Sequence, residues 1–63
     1  MTADELIAEV KIAYRTPSVW VEKRLGWYRV TVWRGSECVA TCSASTKREA
    51  LNDVLLRAPE VRT

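Results

Sequence analysis

The chain has 63 residues, ten basic against eight acidic side chains, and no histidine. That length allows one small domain, which buries only about 60% of its unfolded surface and has little room for both a core and a deep active-site cavity. Without histidine the commonest general base near neutral pH is missing, and a Ser/His/Asp set is excluded.

The first predicted element is a helix over 3–14. Leu6, Ile7, Val10 and Tyr14 recur at helical spacing and define one apolar stripe. Thr2 can cap its start, and Asp4 and Glu5 face the positive end of the helix dipole. Lys11 and Arg15 stand near the other end, and Pro17 stops the helix by pushing Thr16 towards extended backbone. Met1-Thr2-Ala3-Asp4-Glu5 is acidic and lacks the apolar run of a signal peptide. No stretch approaches the roughly 20 apolar residues that cross a bilayer. The expectation is a soluble, cytoplasmic protein with no membrane role.

Residues 18–24 and 27–33 are rich in β-branched and aromatic side chains and read as two strands around a Leu25-Gly26 hairpin. A two-residue loop pairs Val21 with Val30 and Val19 with Val32, and sets Glu22 opposite Arg29. Side chains alternate across a strand. Val19, Val21, Tyr28, Val30 and Val32 therefore take one face, the natural core. Trp20, Glu22, Arg24, Trp27, Arg29, Thr31 and Trp33 take the other.

A third strand spans about 37–44. Its facing depends on the second turn. A two-residue turn at Gly35-Ser36 puts Cys38 and Ala40 with the tryptophans. A three-residue turn over Trp33-Arg34-Gly35, with Gly35 left-handed, puts Cys38, Ala40 and Cys42 with the valines and leaves Val39 and Thr41 on the tryptophan face. The second is preferred, because small residues let a helix approach the sheet. Cys38 and Cys42 lie about 13 Å apart along a strand, beyond the ~7 Å reach of a disulfide. They are expected as free, buried, non-catalytic thiols. With no second cysteine pair, no metal site is expected, and no phosphate loop or cofactor motif is present.

The last element is a helix opened by a capping box, Thr46-Lys47-Arg48-Glu49. Ala50, Leu51, Val54, Leu55 and Ala58 follow at helical spacing, Pro59 ends it, and 60–63 form a frayed tail. The whole of 1–63 reads as one α+β domain: helix, three-stranded antiparallel meander, helix (αβββα).

Basic residues concentrate mid-chain. Lys11, Arg15, Lys23, Arg24, Arg29 and Arg34 stand against Glu22 alone, a balance suited to a polyanion or an acidic protein. The tryptophan face has three readings. The first helix covers it, or it is a homodimer seam, or it is open to a foreign partner.

The run Trp27-Tyr28-Arg29-Val30-Thr31-Val32-Trp33, a short turn, a third strand and Ser45-Thr46-Lys47-Arg48-Glu49-Ala50 opening a helix together resemble the arm-type DNA-binding domains of tyrosine-type phage integrases. The similar stretch covers roughly 19–58. Those domains set a three-stranded sheet in the major groove, backed by a C-terminal helix. The resemblance implies Arg24, Arg29, Thr31 and Arg34 as groove-facing residues. The chain departs from that pattern in its N-terminal helix, in lacking a basic turn between strands two and three, and in its weak net charge. In size and style it is also similar to phage or mobile-element accessory proteins, many of which inhibit a host protein.

The expectation is a non-catalytic binding module acting through Trp20, Arg24, Trp27, Arg29, Thr31, Trp33 and Arg34. Double-stranded DNA is the first partner. A host protein, or a second copy through the same face, is the alternative.

Overall fold

Leu6, Val10 and Tyr14 are the buried stripe of helix α1 (Ala3–Tyr14) in the computed structural model, which describes residues 2–58. The helix starts at a reciprocal capping box. Thr2 Oγ1 accepts from the Glu5 N–H at 3.2 Å, and the Thr2 N–H donates to Glu5 Oε1 at 2.7 Å. It ends before Pro17 acts. Arg15 turns left-handed (φ 56°, ψ 45°), its N–H donates to Ile12 O, and the Thr16 N–H donates to Lys11 O. This is a Schellman closure with arginine where glycine is usual.

Strands β1 (Ser18–Arg24), β2 (Trp27–Arg34) and β3 (Glu37–Ala44) form an antiparallel sheet in the order β1-β2-β3. The first hairpin has the expected register, with Val21 opposite Val30 and Glu22 opposite Arg29. Its two-residue loop closes on Gly26 at φ 82°.

The second hairpin takes the two-residue turn in place of the preferred three-residue one, with a facing of β3 that neither turn gives in full. Arg34 pairs with Glu37 across a two-residue Gly35-Ser36 loop, and Gly35 sits at φ 64°. Trp33 then pairs with Cys38, while Val32 pairs with Ala40. Val39 is the extra residue of a β-bulge. Without it, every later residue of β3 would change face, and Thr41 and Ser43 would enter the core. With it, Ala40, Cys42 and Ala44 join the valines. Val39 packs against the core as well, instead of lying on the tryptophan face. Cys38, expected to be buried, is exposed on the tryptophan side, whereas Cys42 is buried and both thiols are free.

Helix α2 (Lys47–Leu56) starts at Thr46, whose Oγ1 accepts from the Glu49 N–H at 3.1 Å. The box expected there is half formed. Glu49 Oε1 accepts the Thr46 hydroxyl at 3.3 Å instead of the Thr46 N–H. Pro59 and the expected frayed tail lie outside the described residues.

Both helices lie on the valine side. The core unites Leu6, Val10 and Tyr14 of α1 with Val30, Val32 and Cys42 of the sheet and Ala50, Leu51 and Val54 of α2. Tyr14 is 1% exposed and its hydroxyl donates to Val54 O at 2.8 Å, tying helix to helix. No helix among the described residues is long and apolar enough to cross a membrane. The domain is thus a two-layer plate, 36 × 27 × 16 Å.

Two measurements test this packing. A left-handed non-glycine residue carries about 1–2 kcal/mol of strain, partly offset by the added freedom of an unfolded glycine. Arg15→Gly should therefore stabilise the domain by about 1 kcal/mol, raising the melting temperature by about 4–8 °C. The second uses Tyr14, whose burial holds its pKa above the ordinary 10.0. Above that pH the unfolded chain loses the phenolic proton while the folded one keeps it, so stability falls as pH rises further. Tyr14→Phe should be less stable at neutral pH by about 1–2 kcal/mol and show a shallower alkaline decline in denaturant titrations.

Candidate interaction face on the sheet

Strand alternation puts four rows of side chains on the side without helices. From the first hairpin downward they are Arg24 and Trp27; Glu22, Arg29 and Ser43; Trp20, Thr31 and Thr41; Ser18, Trp33 and Cys38. Six of the seven expected site residues are there: Trp20, Arg24, Trp27, Arg29, Thr31 and Trp33.

The seventh, Arg34, is not. Its place in β2 points it to the helix side, where Nη2 donates to Tyr14 O at 2.7 Å. A guanidinium on a C-terminal carbonyl of α1 meets the negative end of the helix dipole. Arg34 is therefore a structural cap, a role that depends on a tertiary contact and has no local sequence signature.

The first helix does not cover the tryptophans. Trp20 is 60% exposed and Trp27 37% exposed. Trp33 is half-buried, with its ring centroid 6.3 Å from that of Trp20 at an interplanar angle of 55°. Its backbone oxygen accepts the Thr16 hydroxyl at 2.6 Å, which anchors the α1–β1 connection to β2. Its Nε1–H is buried with no hydrogen-bond partner among the described residues.

The charges on this face are not free. Glu22 Oε1 accepts from Arg29 Nε at 3.0 Å, and Oε2 accepts from Arg24 Nη2 at 3.1 Å. One carboxylate thus holds two guanidiniums. Arg29 also lies over Trp27, with 5.9 Å from its guanidinium carbon to the ring centroid. These side chains are more than a third exposed, so the ion pairs add little to stability. They fix where the guanidiniums point.

A shallow hollow of about 320 Å³ opens between Trp20, Trp33, Arg29, Thr31, Thr41 and Cys38. Cys38 is a lining residue that the preferred three-residue turn misplaced, because the two-residue Gly35-Ser36 loop sets it opposite Trp33. A larger groove, about 630 Å³, lies on the helix side by Leu6, Asn52 and Leu55. Thr46 and Glu49 on its rim are already engaged in capping α2. The tryptophan face is the better candidate, because Trp20 and Trp27 stay exposed on it and neither helix covers them.

Comparison with protein-family models, with curated proteins and with solved structures gave no match.

The orphaned indole N–H makes a direct prediction. A buried donor without an acceptor costs about 1–3 kcal/mol. Trp33→Phe removes it and keeps an aromatic ring beside Trp20. Denaturant unfolding of the variant should give a stability equal to or above that of the parent, in contrast to the usual loss when a large side chain is trimmed.

Proposed function

We propose that this chain is a non-catalytic protein-interaction module whose working surface is the open tryptophan face of its sheet. The observation that carries the reading is the pairing of exposed indoles with guanidiniums already held by Glu22. Trp20 and Trp27 supply flat apolar area, and tryptophan and arginine are the residues most often found at binding hot spots. Three indoles gathered on one side of so small a plate, two of them exposed, are more than a surface without a partner ordinarily carries.

Charge separates this reading from DNA binding. Duplex binding draws on several phosphate contacts and weakens steeply with salt. The face carries two guanidiniums against one carboxylate, both engaged with it. The mid-chain basic block does not converge here either. Arg34 caps α1, and Arg15 closes the same helix on the opposite side of the sheet.

Titration with mixed-sequence duplex DNA at low and moderate salt tests the choice, read by tryptophan emission. The expected result is no saturable binding, and no gain in Glu22→Gln, which frees both guanidiniums. Saturable binding that weakens with salt and strengthens in Glu22→Gln would replace the protein reading with the DNA one. Trp20→Ala, at an exposed edge position, should keep the parent's thermal stability within about 1 kcal/mol, in contrast to the 3–5 kcal/mol expected of a core aromatic.

A further inference from the structure

We infer that the partner of the tryptophan face is a second copy of this chain, stacked face to face with its strands running opposite ways. This rests on the proposal that the face is a protein-docking surface, and names the occupant.

The face is polarised along its length. Its two upper rows hold all the charge, Arg24, Glu22 and Arg29, with Trp27. Its two lower rows are uncharged, with Trp20, Thr31, Thr41, Trp33, Ser18 and Cys38. Closed homodimers use one patch twice, so that patch must complement itself. A two-fold axis crossing the strands between the second and third rows does this. It sets the first row of one copy on the fourth row of the other, and the second on the third. Trp27 then meets the partner's Trp33, and Arg29 meets the partner's Thr31. No charged row meets a charged row. An axis along the strands would instead bring Arg29 against Arg29, which like-charge repulsion disfavours.

Aligned packing of two sheets is a standard arrangement, with the sheets about 10 Å apart. The area sets the strength. Three strands of seven or eight residues, with their side chains, present about 500 Å² a side, or about 1,000 Å² in all, the low end for a specific interface. The association is therefore weak and reversible, in the micromolar range or above.

The test is sedimentation equilibrium of the full chain from micromolar to millimolar concentration, followed in parallel by tryptophan emission. The expected mass rises from 7.2 kDa towards twice that, with a blue shift as the indoles leave water. Trp20→Ser should weaken the dimer at least tenfold, with the far-ultraviolet circular dichroism of the parent. Thr31→Lys, which sets an ammonium against the partner's Arg29, should abolish it, and Thr31→Glu should retain it. A chain monomeric at every concentration overturns the second copy as partner, while the docking face itself still stands on its own titrations. Equal effects of the two Thr31 variants overturn the antiparallel stacking. A dimer unaffected by Trp20→Ser runs through another surface, and overturns both this inference and the reading of the face.

Discussion

The position of Tyr14 decides what this domain leaves uncovered. Its hydroxyl reaches the Val54 carbonyl and so holds α1 beside α2. Its own carbonyl accepts from Arg34, which holds the end of α1 to β2. One residue later the chain turns left-handed at Arg15, and Thr16 bonds to the Trp33 carbonyl. These contacts place α1 on the valine side. The alternative, α1 across the tryptophans, would leave the valines with α2 alone. A helix of ten residues is about 15 Å long and packs on β2 and β3. Val19 and Val21 of β1 therefore depend on α1. Covering the valines completely requires both helices, and no third stands among the described residues.

Much of this was legible from residues alone. The α1 and β1 boundaries coincide with the apolar and β-branched patterns, and the Glu22–Arg29 pair follows from the first hairpin's loop length. The partition into a valine face and a tryptophan face follows from period-two alternation. What alternation could not supply was the bulge at Val39. A bulge adds one residue without a composition signal, and the two turns considered for Gly35 each accounted for half of the result. The loop is the shorter one, yet Ala40 and Cys42 face the core as the longer one required. Packing explains the compromise: small residues are needed beneath α2, and the tight glycine turn alone would have put hydroxyls there.

Arg34 shows a second limit. Arg24, Arg29 and Arg34 are the same residue type within eleven positions, and a sequence reading assigned them one role. Two are held by Glu22 on the sheet's open side, and the third caps a helix on the other side. Alternation could have separated Arg34 from Arg29, since they differ by an odd number of positions along β2. The helix carbonyl that attracts it could not be foreseen, because it is set by the left-handed turn at Arg15, a conformation that arginine seldom takes.

The Glu22 bridge also bears on how such a face can associate at all. A long arginine side chain loses about 0.5–1.5 kcal/mol of rotamer freedom when immobilised at an interface. Here the ordering is largely complete before any partner arrives. Glu22 fixes both guanidiniums, Trp27 lies under Arg29, and the indoles of Trp20 and Trp33 lean on each other. The same bridge lowers long-range attraction, because one carboxylate offsets half of the positive charge. Association through this face should therefore depend more on complementary shape at close range than on electrostatic steering. That balance suits a partner presenting flat apolar area and hydroxyls better than one presenting a line of phosphates.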